Sequence, residues 1–134
     1  MKLTTKYSIV ALLVKMGLAD MTMQKKELEY IYFVGQKLGL DINEIMDIMD
    51  HPEQHPLQIP YETTDRLVVL YHLLHHMNID GDMANEEIHL IKETSLKLGF
   101  RPELTNEVIL QMHQSVKQQL TEEMLLQKLK VFFN

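Results

Sequence analysis

The feature that most constrains this fold is a self-similarity at a constant offset of 60 residues, which carries residues 20–40 onto residues 80–100. Asp20 meets Asp80, Met23 meets Met83, Glu27 meets Glu87, Ile31 meets Ile91, and Lys37-Leu38-Gly39 meets Lys97-Leu98-Gly99. Leu28/Ile88 and Leu40/Phe100 are conservative pairs on the same offset, with no gap. Similarity at a fixed spacing implies one supersecondary unit used twice. Each copy joins an acidic connection to an amphipathic stretch that ends at a glycine. The expectation is therefore two pseudo-symmetric helical repeats closing on each other, an architecture that says little about chemistry.

Hydrophobic periodicity assigns the elements. Ile9, Leu12, Leu13 and Met16 recur at helical spacing between about residues 4 and 17, and Thr4 or Thr5 is placed to cap them. Leu28, Ile31, Gly35 and Leu38 form the stripe of a second helix stopped by Gly39. Asp41 caps a short third helix with Ile42, Ile45, Ile48 and Met49 as its buried side. Pro52, Pro56 and Pro60 mark residues 51–63 as the linker between repeat one, residues 4–50, and repeat two, residues 64–118. Repeat two opens with Leu67, Leu70, Leu74 and Met77 on one face and Val69, Leu73 and His76 beside it, capped by Thr63, Thr64 or Asp65. Ile88, Ile91, Ser95 and Leu98 then stand where Leu28, Ile31, Gly35 and Leu38 stood, and the small pair Gly35/Ser95 predicts close helix approach in both copies. Pro102 starts a longer helix with Leu104, Val108, Met112 and Val116. Thr121 caps a final one over residues 121–134, striped by Leu125, Leu129, Phe132 and Phe133. No segment alternates with period two. The fold class read from this is all-α, a bundle of about seven helices in one domain spanning residues 1–134.

Composition narrows the function classes. A formal charge of -6 opposes nonspecific nucleic-acid binding, which gains its free energy from Lys and Arg displacing counterions at phosphates. The absence of cysteine excludes disulfides, thiolate metal sites and a Cys nucleophile. The run Ile9 to Val14 behind Lys2 and Lys6 has the outline of a signal peptide, but it is short, Lys15 interrupts it, and it stands where repeat two has its own first helix. No run approaches the roughly 20 apolar residues of a membrane span. A cytoplasmic location follows as the default expectation, with peripheral membrane attachment left open. With no nucleophile elbow, P-loop or dinucleotide-binding glycine motif, and only five glycines, nothing supports an enzyme. Ten methionines serve adaptable core packing or a plastic binding surface.

The acidic connections are the candidate site. Asp80, Asp82, Glu86 and Glu87 could offer oxygen ligands to a hard divalent cation such as Ca²⁺ or Mg²⁺, and Asp20 with Glu27 is the poorer set in repeat one, where Lys25 and Lys26 replace Asn85 and Glu86. The competing explanation is that Asp before a helix and Glu in its first turn are caps that favour the helix dipole without any ligand. An EF-hand is absent, because Asn85 stands where its glycine is required and Ile91 where its bidentate Glu is required. A second candidate is His72 and His76, one turn apart beside His75, which with Asp80 would suit Zn²⁺ or a metal-dependent hydrolase. The HLLHH run lacks the Glu of the zinc-protease motif, and the cation reading ranks Zn²⁺ behind Ca²⁺ and Mg²⁺. His51 and His55 in the linker are further candidates with no fixed geometry.

Taken together, Ile79-Asp-Gly-Asp-Met-Ala-Asn-Glu-Glu87 ahead of a helix ending Lys97-Leu-Gly-Phe100, with Ala19-Asp-Met-Thr-Met-Gln-Lys-Lys-Glu27 and Lys37-Leu-Gly-Leu40 in the first copy, resembles the TerB-like (tellurite-resistance protein B) family of duplicated helical domains. The similarity covers most of residues 5–110. It implies a seven-helix bundle, metal-binding acidic residues falling on Asp20, Glu27, Asp80 and Glu87, and a non-enzymatic binding or scaffold role in a stress-response or membrane-associated complex. A protein partner is implied and a homo-oligomer is compatible with it. The first copy departs at Met21, where the family pattern has Gly.

Overall fold

A computed structural model describes residues 1–18, 23–77, 85–114, 121, 123, 124 and 127, with the backbone alone at residues 77 and 112–114. Among these residues the structure is all-helical, with no strand. Six α-helices follow one another: α1 (Leu3–Gly17), α2 (Lys25–Lys37), α3 (Ile42–Asp50), α4 (Thr63–Met77), α5 (Asn85–Lys97) and α6 (Pro102–Gln114). A single 3₁₀ turn (Pro52–Gln54) lies between α3 and α4. The expected final helix falls largely outside the described residues. Its start shows one of the expected contacts, the Met124 N–H donating to Thr121 Oγ1 at 3.2 Å.

Helices α1 and α4 are the inner pair, as their sequences require. From Leu67 to Met77 α4 has no Asp, Glu, Lys or Arg, and α1 carries only Lys6 and Lys15. Ile9, Val10, Ala11, Leu12, Leu13, Val14 and Met16 are all buried, as are Leu67, Val69, Leu70, Leu73 and Leu74. Each large apolar side chain so removed from water contributes about 1.5–3 kcal/mol. A helix apolar on most of its circumference must be covered on most sides, and α1 touches α2, α3, α4 and α5. One continuous core results, completed by Ile31, Val34, Ile45, Ile48, Ile91, Leu98, Leu104 and Val108.

The proline-rich connection lies along α1. The Gln58 N–H donates to Ser8 Oγ at 3.1 Å, and Thr4 Oγ1 donates to Gln58 Oε1 at 2.7 Å. Arg66 Nε donates to the Pro60 carbonyl at 2.6 Å, which ties the end of the connection to α4. Two sequence expectations are corrected nearby. The N-cap of α1 is Lys2, with no side-chain cap bond, so neither Thr4 nor Thr5 caps it; Thr4 is spent on Gln58, and Thr5 is buried inside the first turn. Ile42 is exposed, because α3 runs past the core edge at its first residue and buries only Ile45 and Ile48 fully. Asp41 caps α3 as expected, its Oδ1 accepting from the Glu44 N–H at 2.8 Å while Glu44 Oε1 accepts from the Asp41 N–H at 3.1 Å. Glu44 Oε2 also accepts from the Tyr7 hydroxyl, locking α3 onto α1.

Both glycine stops close in the same way. Gly39 and Gly99 have φ of 88° and 87°, and the residue after each donates its N–H back into the helix, Leu40 to the Gly35 carbonyl at 3.0 Å and Phe100 to the Ser95 carbonyl at 3.1 Å. At this φ a Cβ crowds its own carbonyl, at a cost of about 1–2 kcal/mol. Gly39→Ala, which meets no neighbour within 4 Å, is accordingly expected to lower the urea-measured unfolding free energy by about 1 kcal/mol through backbone strain alone. An unchanged midpoint would mean that the chain reaches Leu40 by another route.

Candidate functional site

The carboxylates proposed from sequence divide among buried, exposed and undescribed positions. Glu27, in the first turn of α2, is only 6% exposed, and Glu87, in the first turn of α5, 7%. Glu86 beside it is exposed. Asp20, Asp80 and Asp82 lie outside the described residues. Among the described residues no three His, Asp or Glu side chains gather in a metal-ligating group.

Glu27 is held at both oxygens. Its Oε1 accepts from the Gln24 N–H at 3.4 Å, a capping contact that the sequence reading did not assign to Gln24. Its Oε2 faces His76 Nε2 across the α2/α4 seam at 3.5 Å. Gly17, the last residue of α1, closes the third side. A Cβ there would stand 3.3 Å from both Glu27 Oε2 and His76 Nε2 and 2.8 Å from Met23 Cε. A side chain at this position would crowd the polar pair.

The histidines occupy two environments. His72 and His76 are buried, and His75 is half-buried between them. Tyr30, one turn beyond Glu27 on α2, links all three: its hydroxyl shares a 2.9 Å hydrogen bond with His72 Nδ1, and its ring stacks on His75 at 4.5 Å and on His76 at 5.9 Å between centroids. Tyr71 lies edge-on to His72 and tilted to His75. Burial pushes the His76 pKa down to about 4, helped by the adjacent His75 and opposed by the Leu13 backbone; burial lowers that of His75 as well. His76 is therefore a neutral imidazole at pH 7, facing a carboxylate in a buried seam. His51 and His55 do not join this group. His55 packs edge-on against Tyr7 at 5.6 Å, at the start of α1, whereas His76 meets its end at Gly17, about 15 Å of helix away. His51 lies 3.6 Å from Glu53 on the surface.

A cleft of about 530 Å³ opens at the start of α1, between Lys2, Thr5, Gln58, Pro60, Tyr61 and Glu62. It is likewise remote from His76. Tyr30, Tyr71 and Gly17 were not singled out from sequence as members of any site. The one signal was the i, i+3 spacing of Glu27 and Tyr30, which cannot disclose that α4 brings histidines to both. Compared with family models, characterised proteins and solved structures, the chain matches none. No helix among the described residues is long and apolar enough to cross a membrane.

Proposed function

We propose that the chain is a non-catalytic binding or scaffold domain of the TerB-like kind, a duplicated helical unit that holds a divalent cation at its acidic connections within a stress-response or membrane-associated protein complex. The observation that carries this reading is the burial of Glu27 and Glu87, each in the first turn of the helix that follows an aspartate-bearing connection. Carboxylates are seldom buried this far unless something holds their charge. The duplication is supported by helices that begin at residues 3 and 63, 25 and 85, and 42 and 102, and by glycine stops of the same geometry. The donor chemistry, entirely carboxylate oxygen, suits Ca²⁺ or Mg²⁺ better than Zn²⁺. Repeat one has Lys25 and Lys26 where repeat two has Asn85 and Glu86, so Asp80, Asp82, Glu86 and Glu87 form the preferred set and Asp20 with Glu27 the weaker one.

The hydrolase alternative through His72, His76 and Asp80 draws no support from the geometry of the histidines. Both rings are buried, and His72 is tied to the Tyr30 hydroxyl. Calorimetric titration of metal-stripped protein with Ca²⁺, Mg²⁺ and Zn²⁺ tests the proposal. Heat with Ca²⁺ or Mg²⁺ that disappears in Asp80→Ala and in Glu87→Gln is the expected result. Heat that persists unchanged in both variants would remove the acidic-loop site. No heat at all would leave the carboxylates as helix caps.

A further inference from the structure

We propose that the cleft at the start of α1 binds a small zwitterion with the chemistry of an α-amino acid, free or as a dipeptide. The starts of both inner helices line it: Lys2 and Thr5 from α1, Glu62 and Asp65 from α4, with Gln58 and Tyr61 of the connection between them in sequence. Its volume of about 530 Å³ falls within the range of small-ligand sites, roughly 300–1,000 Å³.

Positions 60 residues apart meet in this cleft with opposite character. Lys2, the N-cap of α1, corresponds to Glu62, directly before α4, and Thr5 corresponds to Asp65. Lys2, Glu62 and Asp65 make no ion pair among the described residues. Arg66, one turn past Glu62, donates instead to the carbonyls of Pro60 and Leu98. Unpaired charges of both signs thus line a single cleft, which suits a ligand that carries both.

The end that receives the anion has two independent marks. Lys2 gives α1 no side-chain cap, so the first N–H groups of the helix keep their donor capacity, and the positive end of its dipole adds to the Lys2 ammonium. Thr5 is the second mark. It is only 5% exposed and lines the cleft, yet its hydroxyl has no hydrogen-bond partner among the described residues. Buried hydroxyls are seldom left without a partner, and a carboxylate seated on the first turn of α1 would supply one. The ammonium falls to Glu62 and half-buried Asp65. Ile59 and Tyr61 offer exposed apolar surface in the same cleft to a side chain. A plain anion would meet two carboxylates, and a plain amine would leave Lys2 and Thr5 unanswered.

This inference goes beyond the cation reading, whose ligands include none of these residues. Its test is an NMR titration of the full ¹⁵N-labelled chain with L-leucine and with L-leucyl-L-leucine. The N-acetylated form of each removes the positive charge, and the C-amidated form removes the negative one. Both blocked forms should bind at least about tenfold more weakly than the parent zwitterion. Shifts should centre on Thr5, Gln58 and Tyr61. Affinity should fall about tenfold in Lys2→Glu and in the Glu62→Gln/Asp65→Asn double variant, and about fivefold in Thr5→Val. It should hold in Leu110→Ser, which alters an exposed apolar residue of α6. Circular dichroism verifies that the variants fold, and Lys2→Glu, at an exposed position, tests the site without disturbing buried Thr5. Tighter binding of leucine or of the dipeptide identifies the source of the zwitterion. The proposal is overturned by no binding of either, by equal affinity for the blocked forms, by shifts centred elsewhere, or by unchanged affinity in Lys2→Glu.

Discussion

Acidification from pH 6.5 to pH 4 is expected to remove about 3 kcal/mol of folding stability through His76 alone. In the folded chain burial holds its pKa at about 4, while the unfolded side chain titrates at its ordinary 6.5. Below pH 6.5 the unfolded state therefore takes up a proton that the folded state refuses, and stability falls as pH falls. The loss grows until the folded ring also protonates, near pH 4, and this group contributes no further change below that. His75, lowered in the same direction, adds to the slope. Urea unfolding across this range measures it, with His76→Gln as the control that keeps a polar amide facing Glu27 without titrating. The variant should lose about 1 kcal/mol per pH unit of the slope. A wild-type stability that rises on acidification through pH 6.5 would carry the opposite sign and mean that Glu27 and His76 form a charged pair.

The second large effect is expected where α2 meets α3. A Cβ built on Gly35 stands 2.6 Å from Ile45 Cδ1 and 2.7 Å from its Cγ1, and Ile45 is fully buried. Gly35→Ala should therefore destabilise by about 2 kcal/mol through overpacking, in spite of alanine's better helix propensity. Ile45→Ala should cost about 3 kcal/mol through the cavity it leaves. In the double variant the added methyl occupies space that Ile45 vacated, so the combined loss should fall short of the sum by at least about 1 kcal/mol. Strict additivity would show that the two helices do not touch there. Where α5 meets α6, the hydroxyls of Ser95 and Thr105 hydrogen-bond to each other instead. Close approach is thus reached by an apolar fit in one place and by a polar one in the other.

Much of the helical framework was legible because its signals are local. The stripe Ile9, Leu12, Leu13 and Met16, the capping of α3 by Asp41, the stop at Gly39 and the Pro102 start of α6 each depend on residues within about two turns of one another. Where a local signal had two uses, the prediction failed. Thr4 was an apt cap by type, yet its hydroxyl was taken by Gln58, which only the path of the connection brings near. Ile42 matched the stripe of α3 but lies at its first residue, beyond the core edge. The candidate site was legible only as residue types. Glu27 and the histidines were both noticed, but as members of separate hypotheses.

What the sequence determined by itself is the helical character of the chain, the glycine stops and the chemistry available in the acidic connections. These follow from backbone hydrogen bonds and side-chain periodicity within a few residues. The tertiary structure alone decided that Glu27 faces His76, that Gly17 closes the pair, and that Tyr30 bridges three histidines of α4. Gly17 is 10 residues from Glu27, but α4 brings its histidines to Gly17, Glu27 and Tyr30 from 42 to 59 residues away in the chain. Their meeting depends on the rotation of each helix about its axis and on where the shared core places it. That rotation is settled by the packing of the whole apolar core at once, and no window of sequence contains it.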